Sequence, residues 1–445
     1  MPTNKHEALY NEACNYLTGG LSRNTVYRYP HPIYAAKASG CYVTDMEGVE
    51  RIDFANNMAA LIHGHAHPTI VEAVIEQLQK GTAYTTGTVP EIELAKHLNS
   101  RQNAFEIMRF VNSGTEAVMA MMKASRAYTG KPKIAKAEGA YHGTSNFAEV
   151  SQAPNPDNWG DIDSPNSVAH VHGTPQGLLD NVVIFPFNDI KRTLAILDRH
   201  AKDIACVMLD PVPHRVGLCR ADDAYIEALY HWTRKNNALL VFDEVVTFRV
   251  SYGGGQESYK VKPDMTALGK IIGGGFPVGA LCGREDVMKV LDPRQPKIPF
   301  PHSGTFSANP ITMTAGLTAM KLFDREAVKK LNALTDIAVK QIREAIKLSG
   351  VPASVTGAGS MFRIHLRPNP PTTYREAYRT PDRLALIQEL LDYMLYEEKI
   401  MFINTLSCML STAITQKEVD RLSEGFYRAL LNKKDKIMAL QKNTY

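Results

Sequence analysis

Short apolar runs alternate with longer amphipathic stretches through the middle of the chain. Arg109 to Asn112, Lys133 to Ala137, Ile204 to Leu209, Leu239 to Phe242, Met265 to Leu268 and Val278 to Cys282 are runs of strand length, and most are separated by segments rich in helix formers, such as Ala117 to Tyr128. Continuous apolar runs predict strands buried on both faces, and helices between them impose crossover connections. The pattern therefore predicts a mainly parallel sheet covered on both sides. Ligands of such sheets bind beyond the carboxyl ends of the strands.

The flanks read differently. Gly40 to Gly48 is a strand entering a turn at Asp45 to Gly48. A helix runs through Ala315 to Phe323. Beyond it, Thr356 to Ile364 predicts a strand, Arg383 to Glu398 a helix and Met401 to Leu410 another strand. Thr415-Gln416-Lys417-Glu418 is a capping box, and the helix it opens places Val419, Leu422, Phe426 and Leu430 on one face. The expected division is a first segment, 1–70, contributing to a small domain and the site entrance, a large domain, 71–325, and a C-terminal α+β small domain, 326–445. Neither internal repeats nor low-complexity tracts occur.

Composition permits this plan without demanding it. A chain of 445 residues can hold a large and a smaller domain, and 44% hydrophobic with 22% charged residues is ordinary for a globular protein. The net charge of +4 is small for the length, so a nucleic-acid or membrane-surface role has no compositional support. Lys433, Lys434, Lys436 and Lys442 are expected on a solvated helix face. Cys14, Cys41, Cys206, Cys219, Cys282 and Cys408 form no C-x-x-C pair, which fits free thiols in a reducing compartment. The segment Met1 to Glu7 has no apolar signal core and no run reaches membrane-spanning length, so a cytoplasmic protein is expected.

Candidate chemistry sits at the strand ends. Leu239-Leu240-Val241-Phe242 ends in Asp243, and Ala267-Leu268-Gly269 ends in Lys270, just before Gly273, Gly274 and Gly275. A carboxylate that protonates a ring nitrogen and an amine that takes an aldehyde are what pyridoxal 5′-phosphate (PLP) requires. Taken alone, each reads more readily as a solvated strand end or a surface lysine. Upstream, Phe110-Val111-Asn112-Ser113-Gly114-Thr115-Glu116 is a strand breaking into a turn that opens a helix, an arrangement suited to a phosphate. An ordinary N-cap by Ser113 or Thr115 is the other reading. Glu138-Gly139-Ala140-Tyr141-His142-Gly143 sets an aromatic among small residues, suited to stacking on a flat ring. Lys270 precedes its glycines and Ile271 stands where a P-loop needs Ser or Thr, so no P-loop is present; the glycines are expected to bring backbone close to the cofactor.

Together these elements resemble the class III branch of the fold-type I PLP enzymes, the omega-aminotransferases and glutamate-1-semialdehyde aminomutase among them. The resemblance covers most of the chain and implies an α/β fold-type I PLP-dependent transferase. It makes Lys270 the Schiff-base lysine, Asp243 the partner of the ring nitrogen, and Val245 and Tyr141 the contacts on the two ring faces, with His142 among the cofactor residues. Ser113, Gly114 and Thr115 become the phosphate cup. Pro301 to Pro310 matches the segment whose threonine, here Thr305, reaches the phosphate of a neighbouring subunit, which implies a homodimer with shared sites. His63, His65 and His67 fall in a run resembling the family's Gly-His-x-His-Pro turn and are expected to be structural, with no metal.

Substrates follow from two loops. Gly19 to Tyr27 resembles the N-terminal loop of β-phenylalanine aminotransferases, where an arginine binds the substrate carboxylate; that assigns Arg23, whose other reading is a surface arginine. The family's second substrate arginine is missing from Ile403-Asn404-Thr405-Leu406-Ser407-Cys408. The expectation is a PLP-dependent transfer between a β-amino acid or related amine and a keto acid. A glutamate-1-semialdehyde-type aminomutase is the alternative, since Thr247-Phe248-Arg249-Val250 also resembles that enzyme. A non-enzymatic PLP-fold sensor would carry a damaged lysine or a fused helical domain, and neither is visible.

Overall fold

The structure is a computed structural model describing residues 4–442. Met1, Pro2 and Thr3 lie outside the described residues, as does the side chain of Lys442. Seven strands form the central sheet: β1 (Ile107–Val111), β2 (Lys133–Ala137), β3 (Val182–Phe185), β4 (Ile204–Leu209), β5 (Leu239–Asp243), β6 (Met265–Gly269) and β7 (Gly279–Gly283). Their order is β1-β7-β6-β5-β4-β2-β3. From β3 to β6 every pairing is parallel, whereas β7 runs antiparallel to both neighbours. The reversal follows from the short link between β6 and β7, since a parallel crossover needs about a dozen residues or more. The strand β3 was not among the expected ones, although Val182-Val183-Ile184-Phe185 is fully buried.

The helix Gly114–Thr129 covers one face of the sheet, packing on β6 and β7. Helix Pro310–Leu322 presses on the turn Lys270–Gly273 and on helices Pro68–Leu78 and Val89–Arg101. Two glycines allow that contact: a Cβ on Gly316 would strike the Ile272 carbonyl, and one on Gly274 would strike Ala315. The glycines after Lys270 therefore serve close packing of that helix and of Val278.

In the outer layers, strands Ala35–Ser39, Tyr42–Asp45 and Glu50–Asp53 form a sheet completed by Ile400–Met401, so the first zone is joined to the last by a parallel pairing of Ile52 with Ile400. Two expected strands are each divided. Thr356 to Ile364 is a hairpin of Ser354–Ala358 and Met361–His365, reversed at Gly359 with φ +55°. Met401 to Leu410 breaks at Leu406, also at positive φ, and its second part, Ser407–Met409, pairs with Met361–His365. The capping box of Thr415 and Glu418 is present, and Val419, Leu422, Phe426 and Leu430 are buried against the helix Arg325–Ser349. Lys436 is exposed, as expected, and Lys433 is half-buried; both pair with Glu389 of helix Pro381–Tyr396, at 2.7 and 3.0 Å. Among the described residues, no helix is long and apolar enough to cross a membrane.

Candidate active site

Strand register gathers the first group. Leu209 of β4 pairs with Phe242 of β5, so Asp210 and Asp243 leave the sheet side by side; Asp243 in turn pairs with Ala267, and β6 delivers Lys270 just beyond its end. Asp243 is buried and fixed twice: its Oδ2 accepts from His142 Nδ1 at 2.8 Å and its Oδ1 from the Val245 amide at 3.0 Å. His142 is fully enclosed, and burial pushes its pKa down while Asp243 opposes that shift. Its Nε2 is buried without a partner. Burial likewise drives the Asp210 carboxyl well above the usual range, with Asp243 adding to the effect. Asp210 thus stands beside a fixed carboxylate with its own proton affinity raised.

Lys270 begins its turn with φ 49°, a conformation costly for a side-chain-bearing residue. Burial pushes its ammonium below the usual lysine range; Asp243 opposes this, and Arg23 and Arg249 add to it. The amine takes no hydrogen bond from the described residues.

The second group surrounds it. Ser113 Oγ caps the helix Gly114–Thr129 by accepting from the Glu116 amide at 3.1 Å, and Glu116 Oε2 accepts from the Asn112 amide at 2.8 Å. The Ser113 oxygen accepts in the cap, which leaves its O–H for another acceptor, so the cap and the phosphate readings of that turn are compatible. The amides of the first helical turn still lack intrahelical acceptors. A Cβ on Gly114 would lie 2.6 Å from Val245 Cγ1, one on Gly269 would lie 3.2 Å from the same atom, and one on Gly143 would lie 2.6 Å from Thr115 Oγ1. The 113–115 turn, Val245, the 141–143 loop and the strand end before Lys270 therefore meet in one place. Tyr141 is half exposed, with the Arg215 guanidinium 5.2 Å from its ring centre. Thr305 is exposed; its neighbour Gly304 sits beside Asn112 of the same chain. Arg23 is exposed on the Lys270 side and donates through Nη1 to Asn57 Oδ1 at 2.8 Å.

Several residues that shape the site were not anticipated. Lys136, in the middle of β2, is completely buried and donates to the carbonyls of Ala140, Ala148 and Val150 at 3.0, 2.7 and 2.7 Å. It ties down the loop carrying Tyr141 and His142, and burial lowers its pKa to about 7. Its only sequence signal is a charge inside a strand-length run. Arg249 is enclosed and bound to Ser360 Oγ, the Ala59 carbonyl and the Leu410 carbonyl, so it joins three zones of the chain and is spent on that task. His63 and His65 have protein partners: His63 bonds Thr412 and the Ala319 carbonyl at 2.8 and 2.9 Å, and His65 lies 2.8 Å from Asp53.

A buried amine, a carboxylate fixed by two hydrogen bonds, and an amide-rich helix start separated by glycines fit a phosphorylated pyridine aldehyde. The glycine at 114 is the sharpest evidence of fit, because any larger residue would displace Val245 from between the helix start and the strand end.

Comparison with known proteins gives the same picture. The family model described as aminotransferase class-III matches residues 25–430. A glutamate-1-semialdehyde 2,1-aminomutase from Methanothermobacter thermautotrophicus is 37% identical over 84% of this chain and 87% of its own. The structure is similar to an omega-transaminase from Sphaerobacter thermophilus, with TM-score 0.93, 43% identity and coverage of 96% and 98% of the two chains. It is also similar to a β-phenylalanine aminotransferase from Variovorax paradoxus, with TM-score 0.86, 29% identity and coverage of 97% and 94%.

Proposed function

We propose, from the premise that the chain belongs to the class III aminotransferases and is a fold-type I PLP-dependent enzyme, that it moves an amino group between a β-amino acid or related amine and a keto acid. The observation that carries this reading is the pairing of a carboxylate fixed by His142 and Val245 with a buried Lys270 amine at the neighbouring strand end. When bound, PLP supplies the aldehyde that takes the amino group and the ring that draws electrons from the adjacent carbon.

In this proposal Asp243 holds the proton on the ring nitrogen, and the His142 N–H keeps the carboxylate oriented. Asp210 lies beside it, with burial favouring its neutral form. Lys270, with its affinity for protons lowered by burial, removes a proton from the substrate carbon and returns one. Val245 and Tyr141 close the two faces of the ring, while the amides at Gly114 and Thr115 and the helix start receive the phosphate. Arg23 offers a planar fork to the substrate carboxylate. Thr305 acts on a neighbouring subunit. Exposed Phe306 beside it, and Val71, Ile75 and Leu78 exposed along one helix, are the kind of apolar surface that a partner subunit covers, which supports a homodimer. We place the enzyme in the cytoplasm.

The aminomutase reading is retained because relatives of that name are similar over most of the chain. A panel of amino donors, followed by change in the bound cofactor's absorbance with and without a keto acid, separates the two. β-Amino acids should react ahead of α-amino acids and turnover should require a keto acid; sustained turnover without one would favour the aminomutase.

A further inference from the structure

A cavity of about 20 Å³ opens between strand Met361–His365 and helix Pro381–Tyr396, lined by Arg363, Arg367, Arg379 and Arg383. Four cations face it with a single carboxylate, Glu376, whose Oε2 is taken by the amide and hydroxyl of Thr372 at 2.7 and 3.0 Å. None of the four arginines makes an ion pair within the described residues. Arg363 is only 2% exposed; it spends Nη1 on the His214 carbonyl at 2.9 Å, and its Nε is buried without an acceptor. Arg379 Nη1 and Arg383 Nε are also buried and unmatched.

Packing a buried guanidinium, Arg363, against three half-buried ones, with donors left unpaired, is costly unless an anion completes the arrangement. The arginines also depress each other and the neighbouring histidines: burial and then Arg363 take His365 to about 3, and Arg379 adds to the burial that lowers Arg363 to about 9. The set continues toward the active site, because Arg379 feels the charge of Arg215, which lies over Tyr141.

We propose that this cavity binds the carboxylate group of a small organic acid. Its volume has room for roughly one water-sized group, which admits a carboxylate oxygen and excludes a phosphoryl group with its full set of oxygens. Guanidinium forks match a carboxylate in plane and charge. The site stands on the cavity itself and does not depend on the assignment of Arg23. The acid could be the acceptor of the proposed reaction, whose expected arginine is missing from residues 403–408, or a separate acid held beside the active site.

Titration calorimetry of the holoprotein with succinate and with its neutral analogue succinamide tests this. Succinate should bind and succinamide should not. Arg379→Met and Arg383→Met should each weaken succinate by about tenfold or more, while Arg192→Met, on a distant surface, leaves it unchanged. In acid-free buffer Arg379→Met should melt no lower than the wild type, since it relieves repulsion; a structural arginine would give a lower melting temperature. Arg23→Ala should leave succinate binding intact. Displacement of succinate by saturating β-amino acid would identify the acceptor as its source, and retention would identify a separate acid; both outcomes leave the site standing. The proposal is overturned if the wild type does not bind succinate, if Arg379→Met and Arg383→Met bind it normally, if Arg379→Met melts lower without acid, or if binding is lost only in Arg23→Ala.

Discussion

Asp243 takes its position from two neighbours, His142 and the Val245 amide, and gives up little freedom to water. Asp243→Asn keeps the shape and loses the charge, so proton removal in the single-turnover half-reaction should slow by about a hundredfold or more; a rate near that of the wild type would take Asp243 out of the mechanism. Arg23→Ala should raise KM for carboxylate-bearing donors roughly ten- to a hundredfold, about 1.5 to 3 kcal/mol, and hardly change it for neutral arylalkyl amines. Equal effects on both would assign Arg23 to the fold. Lys270, Asp243 and the Ser-Gly-Thr turn were legible because each stands at the end of a short apolar run, where the sequence itself changes character. Asp210, Lys136 and the arginines around Arg363 were not, because strand register and packing across distant segments bring them together. The cap made by Ser113 shows the same limit: its neighbours in sequence permitted two roles, and the 3.1 Å contact with the Glu116 amide shows the cap while leaving the hydroxyl's O–H uncommitted.

At the level of elements, the strand ends are joined to the helix start by missing side chains. Gly114→Ala places a methyl against Val245 Cγ1, where an ideal Cβ would lie at 2.6 Å. Equilibrium dialysis should then give about tenfold weaker PLP binding or more, with circular dichroism unchanged; wild-type affinity would show that the helix start lies away from the cofactor. Six strands of the central sheet and the two C-terminal helices were readable from apolar period and run length. The misses have definite causes. The four residues of β3 are too short to separate from a loop by period alone. The expected single strands 356–364 and 401–410 each hide a positive-φ reversal, at Gly359 and Leu406; the first had a glycine to mark it and the second had only a leucine.

For the molecule as a whole, His63 links the first zone to Thr412 and to helix Pro310–Leu322; its Nε2 donates to the Ala319 carbonyl, so that in the neutral ring Nδ1 accepts from the Thr412 hydroxyl. Burial lowers its pKa from 6.5 to about 4. The unfolded chain therefore binds the proton first: the contribution is full above pH 6.5 and is lost as pH falls toward 4, by about 1.4 kcal/mol per pH unit for this one group. Denaturant titrations should show that extra acid slope in the wild type and not in His63→Gln; identical slopes would remove His63 from the linkage. Our working division into 1–70, 71–325 and 326–445 treats Arg249 and His63 as the ties between its parts. The homodimer is tested by mixing Thr305→Ala with Lys270→Ala protein, which should distribute the two defects between shared sites; an active monomer at assay concentration would contradict it. The central claim is that the buried amine at the end of β6 carries the cofactor. Borohydride reduction of the holoprotein followed by peptide mass spectrometry tests it most directly: the account predicts the pyridoxyl mass on Lys270 and its loss in Lys270→Ala, and a label on any other lysine would contradict it.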